Sequence, residues 1–230
     1  MAQAVAREAG GGRVLSPSYS LPQPVAVIAG LELADGIDPL QLASYRDFMA
    51  ASLGFSPDDY SVTLPPFPDG DPTKAWAAAV DSQRIGLLNV SYVLSAFPLE
   101  ADGLTLEERP EGTYVYRNAN ARPRAWIQPS VGEGAEWTRV DEIDRSVDLI
   151  RIRAMGPGTL VVSQPMYPGW HAAIDGRGAP IETVYGVLQA VQLTPGEHDI
   201  EFAFRPGSVY FGASLTLLSA LALAWLWSKR

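Results

Sequence analysis

The chain has 230 residues, two histidines, no cysteine and a formal net charge of −9. That length suffices for one or two domains with real cores, and the missing thiols exclude disulfides, thiolate metal sites and a cysteine nucleophile. The acidic balance argues against nucleic acid as a partner, because an acidic surface repels a phosphate backbone.

The first stretch, MAQAVAREAGGG, has no apolar h-region and contains Glu8, so it does not read as a signal peptide. Residues 1–12 are expected to be a flexible N-terminus. Arg13–Ser16 reads as a short strand and Pro17–Pro24 as a loop. Val25–Leu33 is an apolar run that ends at the turn signal Ala34-Asp35-Gly36. Asp38 is predicted to cap a helix with Pro39 at its first position. Leu42, Tyr45, Phe48, Met49 and Leu53 fall on one face, and Gly54 is the stop.

After the loop Ser56–Pro72, a second helix is expected from Asp71 or Thr73 to about Ile85. Leu87–Leu94 reads as a buried strand. Leu104–Arg109 and Thr113–Arg117 read as paired strands around Pro110–Gly112, and Pro123–Gln128 as one more strand. Helices among strands make residues 13–131 an α+β domain.

Gly132-Glu133-Gly134 marks a boundary, beyond which the pattern is strands only. Ser146–Arg153 alternates, Gly156-Pro157-Gly158 is a predicted turn, and Thr159–Gln164 follows. Trp170–Ile174 and Ala179–Thr183 flank the hairpin signal Asp175-Gly176-Arg177-Gly178. Val187–Leu193 and His198–Phe204 are joined through Thr194-Pro195-Gly196-Glu197. Residues 132–207 are therefore expected to be an all-β, immunoglobulin-like sandwich.

Ser208–Trp227 carries no charge, and at about 1.5 Å per residue it matches the roughly 30 Å core of a bilayer. A transmembrane helix is predicted over 208–228. Tyr210 lies near one interface and Trp225 and Trp227 near the other. Lys229 and Arg230 follow, which places that end in the cytoplasm and residues 1–207 outside it. Without these two cations the remaining residues carry −11. An extracytoplasmic body with no export signal of its own is expected to be the C-terminal piece of a longer membrane protein. Gly212, Thr216, Ala220 and Ala224, continuing the step from Ser208, form a small-residue stripe suited to packing on other membrane helices.

Chemistry is sparse. His171 and His198 sit on predicted strands without metal-ligand spacing, and no P-loop, GxSxG or post-strand GxGxxG is present. Asp141, Glu142, Asp144 and Asp148 read as a solvated connector rather than a catalytic pair. Tyr167, Trp170 and Tyr185 could form a platform for a sugar ring, against core packing as the plainer reading. Arg122 and Arg124 could hold a phosphate or carboxylate, against exposed arginines balancing an acidic surface. Asn89-Val90-Ser91 fits the glycosylation pattern but falls in a buried strand. No catalytic residue, cofactor site or metal site is expected.

Three stretches together resemble the C-terminal region of YfhO-like bacterial membrane proteins: LLNVSYVL at 87–94, YVYRNANARPRAW at 114–126, and Gly158–Pro206 with GTLVVSQPMYPGWHAAIDGRGAPI and LTPGEHDIEFAFRP. Ala34-Asp35-Gly36 with Asp38–Tyr45 also fits. The resemblance implies a polytopic glycosyltransferase of the GT-C type, taking sugar from a polyprenyl-phosphate carrier to a cell-envelope glycan. The family's proposed catalytic carboxylate lies in an early loop between membrane helices. No such loop is present, so no catalytic residue is carried over and this piece is expected to be non-catalytic. Implied partners are membrane lipid, other transmembrane helices, envelope glycan and polyprenyl-phosphate sugar. The alternative is a membrane-tethered β-sandwich that binds glycan or a partner protein.

Overall fold

The computed structural model of the chain describes residues 1–58, 61–72, 74, 80–132 and 135–229. Its first half begins with α1 (Ala2–Glu8), β1 (Arg13–Leu15), α2 (Gln23–Ile28), β2 (Glu32–Leu33), β3 (Gly36–Ile37) and α3 (Ala43–Leu53). It continues with β4 (Thr63–Leu64), α4 (Ser82–Leu87), β5 (Val90–Ser95), β6 (Leu104–Glu108) and β7 (Tyr114–Asn118). Five of these strands form one sheet in the order β2-β1-β5-β7-β6. β1 runs parallel to both β2 and β5, whereas β7 is antiparallel to β5 and β6.

Both faces of this sheet are covered. Val14, Tyr92, Leu94 and Val115 pack with Val5 of α1 and Ala26 of α2. On the other side, Val90 and Val93 pack with Phe48, Met49 and Leu53 of α3 and Ile85 of α4. Residues 1–12 are thus not simply a flexible entry: α1 forms there and buries Val5.

Two helix starts and one strand start differ from the sequence expectation. α3 starts at Ala43, not after Asp38, because the Asp38 carboxylate is spent on the Leu40 N–H at 2.8 Å in a local turn. Its stop is as expected, with Gly54 at φ 77°. The helix expected from Asp71 or Thr73 falls partly on Thr73 and residues 75–79, outside the described residues. At the described positions Asp71, Pro72, Lys74 and Val80 the chain is not helical, and the helix found is the shorter α4, capped by Asp81, whose carboxylate accepts the Gln83 and Arg84 N–H groups. The strand predicted from Leu87 starts only at Val90, because Asn89 adopts φ 60°, a conformation that asparagine tolerates. The boundary signal Glu133-Gly134 also lies outside the described residues.

The second sheet contains β8 (Ala125–Gln128), β9 (Thr138–Arg139), β10 (Ile143–Arg145), β11 (Leu149–Pro165), β12 (Trp170–Ile174), β13 (Arg177–Ala179), β14 (Glu182–Val184) and β15 (Leu188–Phe204). β8, expected to belong with the N-terminal strands, pairs with β11 in this sheet. β11 and β15 are 17 residues each and pair antiparallel from Leu149↔Ala203 to Pro165↔Leu188. The predicted turns at Gly156-Pro157-Gly158 and Thr194–Glu197 are not chain reversals. They oppose one another, so both strands bend together and continue.

The bend folds the sheet over itself. Ile150, Ile152 and Ala154 before it and Leu160 and Val162 after it share a core with Val191, Leu193, Ile200 and Phe202. This arrangement is compatible with the expected sandwich. Before the bend, burial alternates, since Arg151 and Arg153 face solvent and pair with Glu201 and Asp199 at 3.3 and 3.0 Å. After it, Leu160, Val161 and Val162 are all buried, because Val161 faces the other way and joins Trp126 and Leu188 in the core that also holds residues of α3 and α4. The chain is α+β, with large antiparallel sheets and one C-terminal apolar helix.

That helix is α5 (Gly207–Ser228), 22 residues with a mean hydropathy of 1.8 and no buried residue. It is long and apolar enough to cross a membrane, at about 33 Å. Ser214, Thr216 and Ser219 donate their hydroxyls to the carbonyls of Tyr210, Gly212 and Leu215, so these polar groups are satisfied within the helix.

Candidate functional site

Parallel strands in an α/β sheet present ligands at their carboxyl ends. Here β1 and β2 lead at their carboxyl ends into Ser16 and Ala34-Asp35, and a cleft of about 670 Å³ opens beside Asp35. Asp35, Asp38, Gln41, Tyr45 and Leu64 line it on one side, and Pro165 and Tyr167 line it from the second sheet. An adjoining lobe of about 650 Å³ shares Gln23, Leu33, Asp35, Tyr45 and Pro165 and adds Arg13, Val27 and Glu32.

Asp35 is the chemical centre of this groove. Its Oδ1 accepts the Ser16 N–H at 2.7 Å. Burial among protein atoms raises its carboxyl to about 7, against the lowering effect of that bond. Beside it the Tyr45 hydroxyl donates to the Ala34 carbonyl, and burial raises this phenol to about 12. Asp35 can therefore hold or release a proton near neutrality, whereas Tyr45 stays a neutral donor.

Next to the groove, one carboxylate faces three guanidinium groups. Glu32 pairs with Arg124 at 2.8 Å, with Arg13 at 3.6 Å and with Arg145. Arg13 also donates to Leu88 O and to Ser163 O and Oγ. Burial lowers Arg13, and burial with the neighbouring Arg13 lowers Arg124 to about 10. Glu32 lies below the usual carboxylate range: its own burial is outweighed by Arg145, Arg124 and Arg13. The network ties Arg13 and Glu32 of the first sheet to Arg124, Arg145 and Ser163 of the second.

The residues singled out in the sequence fall in three places. Tyr167 is 46% exposed on the cleft wall. Trp170 lies near it, each ring packing on Phe204 at 6.0 and 5.4 Å, but Trp170 is half-buried against the sheet core. Tyr185 is elsewhere, its hydroxyl 3.0 Å from both Gln128 Oε1 and Gly132 O. Arg122 is buried beside Trp126, Trp137 and Tyr185 and donates to Gln128 at 3.2 Å. Arg122 and Arg124 are thus not brought together. Gly212, Thr216, Ala220 and Ala224 lie exposed along α5. Asp35 and Tyr45 were visible in the sequence only as a turn signal and a helix-face aromatic. No sequence signal distinguished them, since the cleft is made by strands far apart in the chain.

Among the described residues, no group of three or more His, Asp or Glu side chains is placed to hold a metal ion. The groove can accept and donate hydrogen bonds and exchange one proton, and an aromatic ring lies on its wall.

Comparison with known proteins gives a family match: the family described as "Bacterial membrane protein YfhO" matches residues 140–216, which run from just after β9 into α5. Neither a curated protein nor a solved structure matches the chain. The family match and the apolar helix together fit a YfhO-like membrane protein.

Proposed function

We propose that this YfhO-like membrane chain is the extracytoplasmic C-terminal module and last helix of a polytopic protein, a polyprenyl-phosphate-sugar-dependent glycosyltransferase acting on cell-envelope glycans. The module itself is non-catalytic. One observation carries the reading: the segment that matches the family passes from β15 into the apolar α5 through Arg205 and Pro206 alone. The folded body is therefore held directly at the membrane. Its role is to shape the outer opening, where carrier or acceptor arrives. Residues 1–207 lie outside and the C-terminal end, including Arg230 beyond the described residues, lies in the cytoplasm, by the positive-inside rule. The small-residue stripe of α5 packs on other membrane helices of the same protein.

Cysteine labelling tests the topology, since the chain has no native cysteine. Asp102→Cys should react with an impermeant reagent in intact cells; reaction only after lysis overturns it. The chain in lipid nanodiscs should transfer no sugar from a polyprenyl-phosphate donor, and robust transfer overturns the non-catalytic role.

The exposed Tyr167 on a groove with Asp35 and Gln41 favours a second reading, a membrane-tethered glycan-binding module. Tyr167→Ala should then abolish glycan binding by the intact chain, and unchanged binding argues against it.

A further inference from the structure

The end of the second sheet nearest α5 is built from three strand ends. β15 finishes at Phe204, and α5 starts at Gly207. The turn between β10 and β11 is fastened there, since the Phe204 N–H donates to Asp148 O at 2.8 Å. The loop between β11 and β12 is fastened there too, since the Arg205 N–H donates to Gly169 O at 2.6 Å. Trp170 sits opposite Phe204 in the ladder.

Each of these loops carries an uncharged side chain that reaches solvent, fully for Val147 and in part for Tyr167, whose ring also packs on Phe204. Val147 is 98% exposed and Tyr167 46% exposed. Val147 contributes no burial to the fold, so covering it from outside would cost no contact within the body. The first turn of α5 adds Tyr210 and Phe211, at 60% and 73% exposed. Tyr210 and Trp227 are 17 positions apart, about 26 Å along a helix, close to the thickness of the hydrocarbon core. Tyr210 therefore lies at the outer interface, where amphipathic rings are favoured. With two residues between strand and helix, the loops fastened at Phe204 and Arg205 lie within about six residues of chain from Tyr210.

We propose that this rim seats in the outer leaflet, with Val147 and Tyr167 inserted below the lipid headgroups. The partner is the bilayer itself, continuous with the surface that α5 already enters. Tyr167 also walls the Asp35 groove, so seating the rim opens that groove at the membrane surface. A ligand for it then arrives from the bilayer rather than from bulk water.

The test uses the full chain in nanodiscs with a fluorophore on a single cysteine, and lipids carrying quencher either on the acyl chains or on the headgroups. Leu218→Cys, mid-helix, reports insertion of α5. Met155→Cys is the control, an apolar residue 64% exposed beside the bend in the middle of β11, away from both strand ends. Acyl-chain quencher should remove emission at Val147→Cys and Tyr167→Cys, as at Leu218→Cys, and leave Met155→Cys bright. Quenching at 147 or 167 by headgroup quencher alone, with 218 quenched, overturns the seating while leaving the membrane helix in place. An unquenched Leu218→Cys overturns both.

Discussion

Asp175 and His198 fasten the β12–β13 hairpin to the middle of β15. The Asp175 Oδ2 lies 2.7 Å from His198 Nδ1, and its Oδ1 accepts the Asp199 N–H at 3.0 Å. The bond to Asp175, helped by the Thr194 carbonyl, holds His198 above the ordinary imidazole range. The same bond, with the Asp199 N–H, holds Asp175 below the ordinary carboxylate range.

The sign follows from linkage. The raised His198 contributes stability that is fully present below its unfolded value of about 6.5 and is lost as pH rises through the folded value. Asp175 contributes above its unfolded value of about 3.9 and loses it as pH falls through the depressed folded value. Thermal unfolding of the full chain in nanodiscs should show the pair at full strength between those two unfolded values. His198→Gln should flatten the fall above neutrality, and an unchanged profile would show that the pair carries no linkage.

Asp35 behaves oppositely. Its folded carboxyl is raised to about 7, so the native state holds a proton that the unfolded chain has released. Stability should fall as pH rises from about 4 to about 7, the span between its unfolded and folded values. Asp35→Asn keeps an acceptor for Ser16 N–H and removes the titration. It should match the parent in acid and exceed it above neutrality. A variant less stable than the parent at every pH would mean that the carboxylate form is the one the fold prefers.

Trp170→Ala tests core packing against an exposed platform. The ring is half-buried on Phe204 and the folded sheet, so the loss should sit at the low end of the usual range for a large aromatic, about 3 kcal/mol. A denaturation midpoint within error of the parent would mean that the ring contributes nothing to the fold.

Two glycines should respond differently to the same methyl group. At Gly176, with φ 75°, an added Cβ meets nothing within 4 Å, so Gly176→Ala should cost only the left-handed strain of about 1 kcal/mol. At Gly156 a Cβ would come within 2.0 Å of the Thr194 carbonyl oxygen, backbone that cannot rotate away. Gly156→Ala should therefore cost more than Gly176→Ala, at about 3 kcal/mol or above. Equal midpoints for the two variants would show that the bend has room to give.

These sites also show what the sequence could reveal. Asp175-Gly176 was readable as a hairpin because its signal is local: both residues need φ > 0, at 52° and 75°. The apolar helix was readable from length and charge alone. The Gly-Pro-Gly and Thr-Pro-Gly stretches resembled turns because the same residues serve reversal and bend. Only the pairing of β11 with β15 along their whole length distinguishes the two. Asp38 resembled a cap because the competing Leu40 contact leaves no trace in composition. The groove was the least legible part. Its walls come from residues 23–45, Leu64 and residues 165–167, and nothing local to any of these stretches records their meeting.

Running straight from Phe204 through Arg205 and Pro206 into α5 leaves no slack between sheet and helix. Two residues of connection leave little chain with which the body could turn independently of the helix. Membrane helices tilt to fit the local hydrocarbon thickness. If α5 spans the membrane as proposed, such a tilt would be passed to the sheet, and with it to the direction in which the Asp35 groove faces. A thicker or thinner bilayer would thus re-aim the groove without altering a single contact inside it.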